Sequence, residues 1–247
     1  IDKDTGKTSI YNDGKIIPIE IHHDEKCYVH TMIFGKFLTG ENYNDDEERH
    51  VSGRNGLGVK LCNVFSSEFT VEGVDTHNKL HFKQGWKNNM KIIEEPVITK
   101  IGCKTGYTKI SWIPDFPRFG ISGYTNSIIS LYRRYIIDTA MITGLNVYYN
   151  GELVPVKTLK NYVELYERSV VEDMDEDEAT ATATEEISVS SEKSKLDVVY
   201  ICDENYKVAI TRSISDEFQY ISFVNGVYTR LGGKHVDVWC ETLFRPI

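Results

Sequence analysis

The sequence predicts a layered α+β fold built on a mixed sheet, and three observations carry that expectation. Short stretches alternate apolar and polar residues as half-buried strands do: "TSIYN" (8–12), "FTVEGV" (69–74), "KLHFKQGW" (79–86) and "YTKISWI" (107–113). Other stretches repeat apolar residues at helical spacing, above all "NSIISLYRRYIIDTAMITG" (126–144). Strands and helices then interleave without a regular βαβ rhythm, which favours a layered mixed sheet over a doubly wound parallel one.

Taken in order, "TSIYNDGKIIPIEI" (8–21) reads as a strand, a glycine turn and a short connection. "YVHTMIFGKFL" (28–38) reads as a helix with Val29, Met32, Ile33, Phe34, Phe37 and Leu38 on its apolar side. The polar stretch "TGENYNDDEERHVSG" (39–53) is expected to be a loop or lid. In the helix that Gly144 stops, Ile128, Leu131, Tyr132, Tyr135 and Ile136 are expected to face inward. "NVYYNGELVPV" (146–156) is a hairpin on an Asn-Gly turn, and "KNYVELYERSV" (160–170) a short helix. "DVVYICDENYKVAITRS" (197–213) and "FQYISFVNGVYT" (218–229) read as strands, and "GGKHVDVWCETLF" (232–244) as a helix opened by two glycines.

Residues 172–192, "EDMDEDEATATATEEISVSSE", hold nine acids and no base, with too few apolar residues to form a core. They divide the chain into 1–170, an acidic and disordered linker over 171–195, and 196–247. They also account for the whole net charge of −9, so the remainder is neutral and the acidity does not argue against a role with DNA. A hydrophobic content of 40% suits a soluble globular protein, and no apolar run approaches the ~20 residues of a membrane span. The chain opens on "IDKDTGKTSIYNDG", without a signal peptide or an initiator Met, and reads as a fragment. Five cysteines (27, 62, 103, 202, 240) lack any CxxC pair, so reduced, buried thiols are expected rather than zinc or disulfides. His77 and His81 are four apart, but no zincin glutamate accompanies them, and surface positions are expected.

The stretch that suggests chemistry is "GRNGLGVK" (53–60). Glycine-rich loops opening a helix suit anions, because backbone N–H groups and the helix N-terminus face the ligand. A Walker loop does not fit: Val59 follows Gly58, Lys60 comes one place late, and Leu61 replaces the magnesium-binding hydroxyl. The dinucleotide fingerprint does not fit either, since Leu61 stands where its third glycine belongs. These residues alone leave open a phosphate cradle or a flexible helix start.

Three blocks, "NDGKIIP" (12–18), "NYNDDEERHVSGRNGLGVKLCNVFS" (42–66) and "FQYISFVNGVYTRLGGKHVDV" (218–238), resemble in order and spacing the ATPase region of eukaryotic-type (type IIA) DNA topoisomerase II, a GHKL ATPase. The resemblance implies a two-layer α/β sandwich with a mixed, mainly antiparallel sheet over 1–170. The start of a transducer domain is implied over 196–247. It implies that Gly53, Arg54, Asn55, Gly56, Leu57, Gly58, Val59 and Lys60 wrap the triphosphate of ATP. It further implies that Asn12 sits on the adenine side, and that Gly40, Glu41 and Asn42 contact ribose and phosphate. For Asn12 the residues themselves favour a turn before Asp13-Gly14, and Arg54 could instead pair with Asp45 to Glu48.

The cofactors so implied are ATP and Mg²⁺, and the partners DNA and a second copy of the chain through the ATPase gate, in the nucleus and without a membrane. The family's glutamate base and magnesium-binding asparagine would precede Ile1, and its lysine for the γ-phosphate would follow Ile247. No catalytic or metal-ligating residue is therefore assigned within the chain. The family carries glycine where Ile16 and Ser52 stand, and a pair of serines where Gly40 and Glu41 stand. A β-branched residue at 16 would be strained if its φ were positive. Those departures leave an alternative: a degenerate or truncated module that at most binds nucleotide or dimerises without hydrolysis.

Overall fold

The computed structural model describes residues 1–39, 53, 55–102, 105–166, 197–213 and 217–244. The chain divides into two compact units, Ile1–Ile129 and Ser130–Ile247. The lid stretch, apart from Thr39 and Gly53, and the acidic linker lie outside the described residues.

The first unit is a six-stranded sheet under a layer of two short helices. Its strands are β1 (Thr8–Asn12), β2 (Ser66–Asp75), β3 (Leu80–Lys87), β4 (Ile92–Ile93), β5 (Val97–Lys100) and β6 (Tyr107–Pro114). The order is β1-β6-β2-β3-β4, with β5 also on β3, and every pairing among the described strands is antiparallel. The strands read from alternation in the sequence thus join one sheet.

Register decides which residues share a face. Thr8 lies opposite Trp112, Trp112 opposite Phe69, and Phe69 opposite Trp86. The next row on the same face is Ile10, Ile110, Val71 and Gln84, and then Asn12, Thr108, Gly73 and Phe82. This apolar face carries the core of Phe69, Val71, Phe82 and Trp86, with Ile19 and Phe34 packed onto it. The opposite face is polar: Ser9 bonds Ser111 at 2.9 Å, and Lys83 pairs with Glu72.

Helices α1 (Val29–Gly35) and α2 (Gly58–Val64) cover the apolar face. α1 stops at Gly35, earlier than its apolar periodicity suggests, and Phe37 and Leu38 are exposed. The reason is local. Gly35 lies against the Trp86 indole, where an added Cβ would sit 3.0 Å from Cζ2. Lys36 turns extended and pairs with Glu25 at 2.8 Å, and Leu38 takes φ 57°.

His30 on α1 is wholly buried, stacked on Phe82 with ring centroids 4.6 Å apart and lying over Gly73. Among the described residues neither of its ring nitrogens has a hydrogen-bond partner. Burial pushes the imidazole down to about 4, against the opposing charge of Asp75.

The second unit contains most of α3 (Asn126–Thr143), hairpins β7–β8 (Tyr148–Tyr149, Glu152–Leu153), β9–β10 (Val198–Cys202, Lys207–Thr211) and β11–β12 (Phe223–Val224, Val227–Tyr228), a helix α4 over 159–166, and α5 (Lys234–Phe244). Asn150 and Gly151 take φ 49° and 89°, and Asn225 and Gly226 take 48° and 80°, as two-residue primed turns require.

The inward face of α3 differs from the expectation. Leu131 and Tyr135 are 47% and 50% exposed, whereas Ala140 is buried and Ile136, Ile137 and Met141 pack beside Val154, Val156 and Tyr162. A polar contact sets the rotation. Asp138 is buried and accepts from Arg134 Nε at 2.8 Å and from the Tyr162 hydroxyl at 2.7 Å, while Arg134 also lies over the Tyr228 ring. The cysteines also differ: Cys27, Cys62 and Cys240 are free thiols only half-buried, and Cys202 is free and exposed. Cys103 lies outside the described residues.

The state of His30 predicts a pH dependence. Its folded value lies below the ordinary histidine value near 6.5, so its neutral burial is fully favourable above that pH. The contribution is lost as pH falls toward 4 and the unfolded chain takes up the proton. Denaturant unfolding of the protein and of His30→Leu at pH 7 and pH 4.5 should show the protein losing about 2 kcal/mol more than the variant. Equal losses would contradict the assignment.

Candidate functional site

The glycine loop is held by the helix it opens. Val59 and Cys62 of α2 pack on the core of the sheet, and Asn63 Nδ2 donates to the Phe34 carbonyl of α1 at 3.2 Å. The turn is continued by Phe65, whose N–H bonds the Leu61 carbonyl at 2.9 Å, and by the Ser66 hydroxyl on the Cys62 carbonyl at 2.6 Å. Burial pushes the Cys62 thiol up to about 11, so it is not a nucleophile at neutral pH.

Before α2 the backbone is set by its glycines. Gly56 takes φ 58°, a left-handed conformation that costs any other residue about 1–2 kcal/mol. Leu57 is the N-cap in a helical conformation and Gly58 the first helical residue, and the Leu57 side chain makes no cap hydrogen bond. Among the described residues an added Cβ at Gly53 or at Gly58 meets nothing within 4 Å, so the side of the loop they leave is open.

Lys60 is 3% exposed, and its burial pushes the ammonium below its ordinary value. A cation withdrawn from water gains more from an anion than one in solvent does. Left-handed glycine, open glycine Cα atoms and a desolvated lysine fit a phosphate group.

Asn12 ends β1 and belongs to the sheet face that α1 and α2 cover. Its side-chain oxygen accepts the Gly14 N–H at 2.9 Å, which is the turn role the residues alone favour. Asn55 and Gly53 are exposed, and Leu57 and Val59 are half-buried. Gly40, Glu41, Asn42 and Arg54 lie outside the described residues. Ile16 is not among the residues with positive φ, so the strain that a β-branched residue would bring there is not incurred.

Two residues of this region carried no signal in the sequence. Asp75, 1% exposed at the end of β2, accepts the Ile19 N–H at 3.0 Å and the His77 and Asn78 N–H groups at 2.9 and 3.1 Å. Gly106, just before β6, is buried under Ile16. Polar and glycine positions inside a turn stretch have no periodicity by which to find them.

For a metal the described residues do not fit, since none of their His, Cys, Asp and Glu side chains form a group of three that could hold one. No helix among them is long and apolar enough to cross a membrane.

The two glycines of the loop should respond differently to substitution. Thermal unfolding should show Gly58→Ala unchanged or up to about 1 kcal/mol more stable, since its Cβ enters open space, and Gly56→Ala about 1 kcal/mol less stable. Loss of stability in Gly58→Ala would mean that the open space is filled by protein.

No protein-family model matches the chain. It is 40% identical over 250 residues, all of its length, to DNA topoisomerase 2 of Bombyx mori, of which it covers 15%. Its structure superposes on the ATPase region of Saccharomyces cerevisiae topoisomerase II with a TM-score of 0.84 at 36% identity, covering 100% of this chain and 59% of that one. On the ATPase and transducer domains of DNA topoisomerase II from Balamuthia mandrillaris the TM-score is 0.82 at 35% identity, covering 100% and 57%. The chain thus spans about a sixth of the curated relatives it matches, and all of that span lies in the ATPase region.

Proposed function

We propose, for a chain homologous over its whole length to the ATPase region of DNA topoisomerase II, that residues 53–60 bind the triphosphate of ATP. The observation that carries this reading is the glycine loop running into α2, with Lys60 buried in that helix. Successive N–H groups at the start of α2 bond phosphate oxygens, the glycines let the backbone approach, and Lys60 supplies a positive charge out of water. Asn12 and the segment after it form the adenine side. Gly40, Glu41, Asn42 and Arg54 complete the ribose and phosphate contacts.

Within the whole protein this region is the ATP-operated gate of an enzyme that passes one DNA duplex through another. It acts as a homodimer, with DNA as substrate, in the nucleus. Bound ATP supplies the phosphoryl group whose hydrolysis resets the gate. Mg²⁺ accompanies the nucleotide, and no described residue is assigned to it. Residues 1–170 correspond to the nucleotide-binding domain and 196–247 to the start of the transducer. The described residues hold nucleotide and are given no part in its hydrolysis, which is also what a degenerate, binding-only module would retain.

Calorimetric titration with a non-hydrolysable ATP analogue and magnesium tests the reading. Saturable binding is expected, weakened about tenfold or more in Lys60→Ala, since a charge-assisted phosphate contact is worth more than ~1.4 kcal/mol. Absence of binding, or equal binding by the variant, would overturn the cradle.

A further inference from the structure

We propose that Ile16 and Gly106 form a matched pair that fixes the segment after Asn12, which makes Gly106 and Asp75 positioning residues for the adenine side of the nucleotide site. This rests on the reading of the cradle above.

Residues 12–19 are fastened at three points. Asn12 Oδ1 accepts the Gly14 N–H at 2.9 Å, closing the turn that leaves β1. Ile16 lies on Gly106, beside the end of β2. The Ile19 N–H is held by Asp75 Oδ2 at 3.0 Å, and that carboxylate is itself fixed by the His77 and Asn78 N–H groups and by Asn78 Nδ2 at 2.8 Å. Ile19 is then buried in the core with Phe69 and Trp86. The segment is therefore pinned at both ends, and Ile16 decides where its middle lies.

Gly106 is not needed for its backbone, because its φ is not in the left-handed region. Space is the constraint. A Cβ at Gly106 would collide with Ile16 Cδ1, lie 2.6 Å from Ile16 Cγ1 and approach the Val74 carbonyl oxygen to 3.1 Å. Ile16 fills the hollow that the missing side chain leaves. Ile16 places a four-carbon side chain in the middle of this segment. The hollow over Gly106 receives that bulk, and the segment keeps its place. A side chain at 106 would drive Ile16 out and carry Asn12 and its turn with it.

The test compares the protein with Gly106→Ala, Ile16→Gly and the double variant. Each is titrated with a non-hydrolysable ATP analogue and, separately, with inorganic tripolyphosphate, which reaches the cradle but has no base. Gly106→Ala should weaken the analogue about tenfold and leave tripolyphosphate within about twofold, while the double variant should match Ile16→Gly within about twofold. Equal loss for both ligands, or a loss that persists in the double variant, would overturn the pairing. Should Gly106→Ala fail to fold, the double variant and Ile16→Gly still decide: agreement supports the pair, and a tenfold gap overturns it. If the unaltered protein binds tripolyphosphate no more weakly than the analogue, the adenine-side role falls and the cradle stands. If it binds neither, the cradle falls as well.

Discussion

The packing of α1 and α2 onto one face of the sheet is the constraint on which the site depends. Phe69, Val71, Phe82 and Trp86 present an apolar surface from β2 and β3, and Phe34, Val59 and Cys62 close over it. Burial of that kind, at about 25 cal/mol per Å² of apolar surface, holds a seven-residue helix that could not persist alone in water. Once α2 is fixed, so are the direction of its first amide groups and the burial of Lys60. The Asn63 contact to the Phe34 carbonyl ties the two helices together across the face. The glycine loop needs no rigidity of its own, because it enters a helix that the core already orients.

The sheet supplies the second half of the arrangement by register alone. Asn12 lies in the row of Thr108, Gly73 and Phe82, so β1 delivers it to the same face that α2 covers. A slip of one residue in β1 would turn Asn12 to the polar face and bring Ser9 and Tyr11 to the apolar one. The Ser9–Ser111 hydroxyl contact on one face and the Thr8–Tyr124 contact at 2.6 Å on the other oppose that slip. Beyond Asn12 the chain is fastened by Asp75, so the segment after β1 and the helix α2 are both referred to β2.

Much of this was legible in the residues. Alternation located β2 and β3, whose apolar residues are buried on one face, and also β6, and the Asn150-Gly151 pair located one hairpin because few other residues take φ near 50°. The glycine block by itself left a phosphate cradle and a flexible helix start both open, and its resemblance to a known family favoured the cradle. Periodicity misled on α3, where the inward stripe includes a carboxylate: Asp138 is buried because Arg134 and Tyr162 come to it from one turn away and from α4. A hydrophobic template scores such a residue as surface. It also extended α1 past Gly35, since nothing local reveals that the Trp86 ring lies against that glycine. His30, Asp75 and Gly106 escaped for the same reason, as each owes its position to a neighbour distant in sequence. Gly40, Glu41, Asn42 and Arg54 were named from resemblance and lie outside the described residues.

The central claim is that the amide groups at the start of α2 receive the triphosphate. Hydrogen exchange with and without a non-hydrolysable ATP analogue and magnesium, read by NMR for each amide, tests it most directly. The claim requires slowed exchange at Gly56, Leu57, Gly58, Val59 and Lys60 on binding, with the protected amides of β2 and β3 unchanged. Binding that leaves those five amides as exposed as before, or that protects the whole sheet equally, would contradict it.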